Sequence, residues 1–200
     1  PTGWLHLGHA FSALVAWRRA RATGGAFLLR IEDIDRTRCR AEFEAAIFGD
    51  LAWLGLRWPE PVIRQSDRLP AYSEALEQLA AQGLIYPCRC TRADIRAALA
   101  APQEGAGPDG PVYPGTCRGR RWQDRGADDA LRLDMARAVA HLGGPRAVAG
   151  LTWQETGDAA GSHPLDAAAL IAGTGDVVLA RRDIGTSYHL AVVVDDAAQG

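Results

Sequence analysis

Two imidazoles stand three residues apart in His6-Leu7-Gly8-His9, where a loop runs into a long stretch of helix formers. Residues at i and i+3 share a helix face. A helix N-terminus also offers free backbone N–H groups and the positive end of its dipole, which together favour an anion. Gly8 keeps the backbone open to a flat or bulky ligand. The arrangement suits a nucleoside triphosphate whose departing pyrophosphate needs donors; ordinary capping and surface histidines are the plainer reading. A second group is Arg30-Ile31-Glu32-Asp33-Ile34-Asp35-Arg36, with three carboxylates closing an apolar run. Carboxylates so placed are costly unless they are paired or open into a polar cleft. In such a cleft one of them can hold the ammonium of an amino acid. Asp33 and Asp35 read as orienting neighbours, pairing with Arg30 or Arg36, against the alternative of a solvated cluster. The third group is Cys88-Arg89-Cys90 with Cys117 on a distant loop. Two thiolates one residue apart and a third from elsewhere suit a tetrahedral zinc ion; three reduced free cysteines are the competing reading. Cys39 lies outside the pattern and reads as structural.

These residues need elements to position them. His9 to about Thr23 reads as a helix with an apolar stripe of Phe11, Leu14 and Val15, stopped by Gly24-Gly25. Ala26–Ile31 reads as a buried strand, Glu42–Leu54 as an amphipathic helix, Val62-Ile63 as a brief strand and Arg68–Gln82 as a helix ended by Gly83. Strands alternating with helices predict an α/β fold with a parallel sheet and crossover helices. The C-terminal edge of such a sheet is where ligands bind. Past Tyr86 the pattern changes. A helix is expected over Thr91–Ala100, then a Pro/Gly-rich loop to Gly119, and strands at Leu131–Asp134 and Val177–Ala180. The Ala- and Gly-rich stretch 136–176 carries no clear assignment. Leu190–Val194 is β-branched and reads as a strand by propensity alone.

Composition bounds the rest. Two hundred residues, 48% apolar and 23% charged, fit one globular domain or one domain with a small insertion, and exclude disorder, collagen and coiled coil. The net charge of -2 excludes wholesale coating of nucleic acid, so an RNA site would be a local patch. No apolar run approaches the about 18 residues of a membrane span. The chain has no Lys and no Asn, so all 22 cations are Arg. Chemistry that needs a lysine has no source in these residues. Cysteines this unevenly placed, with no secretory signal, read as cytosolic thiols or metal ligands.

Pro1-Thr2-Gly3-Trp4-Leu5-His6-Leu7-Gly8-His9 and Phe27–Arg38 (FLLRIEDIDRTR) together resemble the class I aminoacyl-tRNA synthetases of the glutamate branch. The likeness continues to Tyr188–Asp196 (YHLAVVVDD) and is loosest between about 136 and 176. It implies a Rossmann-like parallel sheet of class I synthetase type, spanning 1–200 as an incomplete catalytic domain, with a small inserted zinc-binding subdomain at approximately 86–176 resembling an acceptor-binding element. His6, Gly8 and His9 would then be catalytic, with His6 and His9 on the ATP phosphates. Glu32 would hold the ammonium of glutamate. Tyr188 would hydrogen-bond the same amino acid from a helix, overriding the strand propensity of Leu190–Val194, while Asp195 and Asp196 either approach the nucleotide cleft or merely cap and solvate.

Zinc-bearing glutamyl-tRNA synthetases can complete their site with a histidine two residues after the last cysteine. Gly119 stands there. The shortened glutamyl-Q tRNA(Asp) synthetase branch uses a tyrosine instead, which makes Cys88, Cys90, Tyr113 and Cys117 the implied metal ligands. Ligands of one tetrahedral zinc put the sulfurs within about 4 Å of one another. The implied partners are L-glutamate, ATP with Mg²⁺ and tRNA(Asp) bearing queuosine, in a cytoplasmic monomer without membrane contact. Two rival functions remain: a fragment of a glutamyl-tRNA synthetase charging the tRNA 3′ end, and a non-catalytic zinc- or RNA-binding module. Family segments before Pro1 and the lysine-bearing loop after Gly200 are absent from these residues, so the isolated stretch is expected to be inactive.

Overall fold

The computed structural model describes residues 1–99, 106–107 and 110–200. They form two compact units, Pro1–Ala71 and Tyr72–Gly200. In the first, helix α1 (Leu7–Ala22) precedes strand β1 (Arg30–Ile31), helix α2 (Ala41–Trp53) and strand β2 (Ile63–Arg64). β1 and β2 pair in parallel, Arg30 opposite Ile63 and Ile31 opposite Arg64. Ile31, Leu51 and Leu56 form the buried apolar positions, as the amphipathic pattern of α2 requires. Arg64 pairs with Glu44 on α2, tying helix to strand. The stripe expected on α1 does not become a core face: no residue of α1 is buried, and Phe11 is 68% exposed.

Helix α3 (Leu69–Ala81) leads into the second unit and ends at Gly83, whose φ of +69° suits glycine at a helix C-terminus. Strand β3 (Ile85–Cys88), helix α4 (Arg92–Leu99) and the short pair β4 (Ala106–Gly107) and β5 (Gly110–Pro111) follow. Next come β6 (Ala130–Leu133), α5 (Met135–His141), α6 (Pro145–Ala149), β7 (Thr152–Glu155) and β8 (Gly161–Pro164). The chain closes with α7 (Ala167–Ala169), a π-turn over Leu170–Thr174, β9 (Val178–Ala180) and α8 (Tyr188–Gln199). Part of the Ala101–Gly119 loop expected from sequence lies outside the described residues.

The parallel sheet expected before Tyr86 is present as the β1–β2 pair with α2 as its crossover helix, but it does not extend into the second unit. Among the described residues only β1 and β2 run parallel; the main sheet of the second unit is β3-β6-β9, antiparallel throughout. Antiparallel neighbours need no crossover helix. Cys90, Tyr113 and Cys117 lie between β3 and β6 in the chain. The unassigned 136–176 stretch turns out to hold the three short helices α5, α6 and α7, the π-turn and the β7–β8 hairpin, with Val139, Val148 and Ala167 as a small core of their own. At the C-terminus α8 is a helix, so tertiary context overrides the β-propensity of its valines. Ser187 caps it by accepting from the Leu190 N–H.

One clamp fixes the segment after Cys117. Arg120 reaches the Pro87 and Asp124 carbonyls and donates to Asp129 at 2.8 Å, while Asp129 also accepts from the Gly126 N–H. The Arg120 guanidinium, the main cause, holds the Asp129 carboxyl below its ordinary range. A depressed carboxyl stabilises the fold above its unfolded pKa and loses that contribution as pH falls through the folded one. Asp129→Asn is therefore expected to cost about 2 kcal/mol in urea unfolding at neutral pH, the scale of a charged hydrogen bond. The difference between variant and wild type should shrink steadily on acidification below the ordinary carboxylate range.

Candidate active site and metal centre

In the first unit the two histidines interlock. The His6 Nδ1 accepts from the Gly8 N–H, and the His9 Nδ1 accepts from the His6 N–H, each at 3.1 Å. Their ring centroids are 3.8 Å apart. Both Nδ1 atoms are acceptors, so each neutral ring carries its proton on Nε2 and presents a donor outward. His6 is the N-cap of α1, a place usually held by Ser, Thr, Asp or Asn. Gly8 has a further reason to be glycine: an added Cβ would meet His6 Cε1 at 3.0 Å and Nδ1 at 3.2 Å. It makes room for the imidazole of its own neighbour.

His9 and Glu32 line one open cleft of about 420 Å³, together with Trp4, Leu5, Arg30 and Ile47. The acidic motif is held by several bonds. Arg30 Nη2 donates to Glu32 at 3.2 Å. Asp33 accepts from both the backbone N–H and the hydroxyl of Ser66, at 2.8 and 2.7 Å, and Asp35 accepts from the Thr37 hydroxyl. Arg36 donates to the Ser66 carbonyl. Asp33 thus ties the β1 end to the segment after β2, a role sequence spacing gave no hint of. Glu32 keeps lone pairs for a cationic ligand group beyond its Arg30 bond.

In the second unit Tyr188 is the first residue of α8 and is 58% exposed. Asp195 is not solvated: it is fully buried and accepts from the Tyr72 hydroxyl at 2.7 Å. Asp196 is exposed.

Cys88, Cys90 and Cys117 bring three sulfurs within 4.8 Å of one another, with the Cys90–Cys117 pair at 3.5 Å. Tyr113 Oη lies 3.4 Å from the Cys88 sulfur and 3.3 Å from that of Cys90. The Cys117 N–H donates to the same phenol oxygen. The widest spread exceeds the about 4 Å of a closed tetrahedral site, and a bound ion would have to draw the sulfurs in by about 1 Å at most. Three soft donors and one oxygen converging on a buried point fit a tetrahedral ion. Gly119 has φ +105°, a conformation L side chains rarely adopt, so a histidine at that position would be strained. Burial pushes the Tyr113 phenol and the Cys90 thiol up. Cys117 moves the other way. Burial would raise it, but the Arg89 backbone N–H and donors from Tyr113, Cys90 and Cys88 bring it down to about 7.

The model for the catalytic domain of class I tRNA synthetases (E and Q) matches residues 1–138. A relative from Rhodobacter capsulatus named glutamyl-Q tRNA(Asp) synthetase is 54% identical across the whole chain, which spans 71% of that protein. One of the same name from Symbiobacterium thermophilum is 41% identical, with 61% of its length spanned. The chain belongs to the class I tRNA synthetase family, in its glutamyl-Q tRNA(Asp) synthetase branch. Its fold matches a glutamate tRNA ligase structure from Elizabethkingia meningosepticum in complex with its amino acid, at TM-score 0.70 and 23% identity. That match covers all of this chain and 40% of the other. A glutamate-tRNA synthetase structure from Elizabethkingia anophelis gives TM-score 0.71 at 23% identity, with 41% of it covered. The α/β fold is thus that of class I synthetases. Among the described residues no helix is long and apolar enough to cross a membrane.

The histidine interlock makes a direct prediction. Nitrogen-detected correlation spectra above neutral pH should find both His6 and His9 as the Nε2–H tautomer. Gly8→Ala is expected to release His6 from that state by displacing its ring, with the helix content of the protein unchanged. A wild-type His6 protonated on Nδ1 would contradict the geometry.

Proposed function

We propose that the protein activates glutamate with ATP and magnesium as glutamyl-adenylate and transfers it to queuosine in the anticodon of tRNA(Asp). The observation that carries this reading is the whole-chain 54% identity to a glutamyl-Q tRNA(Asp) synthetase. Gly119 beside a convergent Tyr113 supports it, since the ligand set is then the tyrosine type. His6 and His9 hold the ATP phosphates through Nε2–H and stabilise charge that grows at the α-phosphate and on the departing pyrophosphate. Glu32, braced by Arg30, holds the ammonium of glutamate, and Tyr188 hydrogen-bonds the same substrate. Cys88, Cys90, Tyr113 and Cys117 hold a zinc ion, which supplies local stability to a loop too rich in Gly and Pro for a core of its own. When bound, the ion's positive charge would favour the phenolate form of Tyr113.

ATP–pyrophosphate exchange with glutamate on the full-length protein, without tRNA, tests the activation step. Exchange is expected; none under any condition would leave the protein a binding module. Transfer of labelled glutamate to queuosine-bearing tRNA(Asp), and none to tRNA lacking that base, separates the modifying enzyme from one charging the 3′ end. His9→Ala should slow exchange on the order of 100-fold with little change in the KM for glutamate, because its partner is charge that develops in the transition state. Treatment of the zinc-loaded protein with a chelator should raise amide exchange within about 86–120 first, while Ile31 and its neighbours stay protected.

A further inference from the structure

Arg132 is the one charged side chain from the sheet itself that enters the cysteine cluster. It sits on β6, opposite Tyr86 of β3 and in register with Val178 of β9. Its Nε donates to the Cys88 sulfur at 3.4 Å, and its guanidinium lies over the Tyr113 ring, 3.8 Å from the centroid. Nη1 donates to the Asp176 carbonyl at 2.7 Å. Other arginines near the cluster bond to backbone: Arg182 to the Cys90 carbonyl and Arg120 to that of Pro87. Arg132 alone, among the described bonds, touches a ligand atom and the ring of a second ligand.

Its own position is tightly determined. The carboxylate of Asp176, buried beside it, accepts from the Tyr86 hydroxyl at 2.5 Å, the Arg118 Nε at 2.8 Å and the Met135 N–H at 3.0 Å. That network holds the Asp176 backbone, whose carbonyl fixes the fork of Arg132. Three thiolates and a phenolate around a divalent ion carry a net double negative charge. A buried charge of that kind is expensive unless a partner offsets it. A planar guanidinium that both donates to sulfur and stacks on the ring is suited to that task in a way an ammonium is not.

We propose that Arg132 is the positioning residue of the metal centre, orienting Cys88 and Tyr113 and offsetting the negative charge of the four-ligand set. The inference rests on the metal reading above. Zinc titration of the full-length protein against a chromophoric chelator tests it, with Arg132→Met, Arg132→Lys and Arg118→Met compared. Arg132→Met should bind zinc about 10- to 100-fold more weakly, the usual penalty for losing an outer partner of a ligand. Arg132→Lys, which keeps the charge without the Nε donor or the planar stack, should fall between wild type and Arg132→Met. Arg118→Met, which removes one of the three donors to Asp176 and makes no described bond to a ligand atom, should weaken zinc binding much less than Arg132→Met.

A second readout is the tyrosinate band that appears in ultraviolet difference spectra on loading Zn²⁺, or the visible spectrum with Co²⁺. Both should weaken or shift in Arg132→Met and remain in Arg118→Met. Zinc affinity and tyrosinate signal at wild-type level in Arg132→Met and Arg132→Lys would overturn the proposal while leaving the metal site standing. An equal loss in Arg118→Met would reduce Arg132 to general scaffolding. Failure of the unsubstituted protein to take up zinc sinks the metal reading itself. Should Arg132→Met not fold, Arg132→Lys decides alone, by the same two readouts.

Discussion

Three sulfurs and a phenol oxygen share one buried point, and much of the second unit is arranged to make that tolerable. Cys88 ends β3 inside the sheet, Cys90 lies just beyond it, and Tyr113 and Cys117 return from the far side of a loop. The core here is Tyr86, Cys88, Tyr113 and Cys117, small and largely polar at its centre. Such a core stabilises little through hydrophobic burial alone. Hydrogen bonds fill the gap: Arg132 and Asp176 join β6 to the start of β9, and Arg120 with Asp129 holds the outgoing chain. The buried side chains of Tyr86, Arg132 and Asp176 each have a partner, as low-dielectric surroundings demand.

The first unit follows a different logic. Its chemistry is displayed on the surface of a short parallel pair and the start of a helix. Capping by an imidazole would be unusual were the cap's only task to end a helix. Here the two Nδ1 atoms satisfy backbone N–H groups, and that bond decides which nitrogen faces outward. One arrangement both starts α1 at a defined residue and aims two donors. The cost is borne at Gly8, which has no freedom to become alanine without moving the ring.

Family membership rests on the comparisons, and the two sites carry the proposed chemistry. The histidine pair and the acidic run are the residues proposed for activation of an amino acid, and the cysteine set with Tyr113 is the proposed metal centre. Glu32 and His9 share a cleft of a size fitted to small ligands. Arg30 lies between the roles, bonding Glu32 while forming part of the parallel ladder.

Sequence alone determined what depends on residue type and short spacing. The histidine pair at a helix start, the helices on both sides of Arg30–Arg36, the three cysteines and the glycine stops are local features, and local sterics and capping chemistry enforce them. The family's helix at Tyr188–Gln199 was legible only through resemblance, because its valines favour a strand when packing is ignored. Strand direction was legible for β1 and β2, which a helix separates, but not past Tyr86. A strand of two to four residues carries no mark of whether its neighbour runs with or against it, and the antiparallel β3-β6-β9 order is set by where loops return. Partners separated by tens of residues were equally hidden: Asp33 with Ser66, Tyr72 with Asp195, Arg132 with Cys88 and Asp176. Nothing in the neighbourhood of any of these residues encodes the other. Only the tertiary structure brings them together, since long-range pairing is decided by which surfaces can be buried at once.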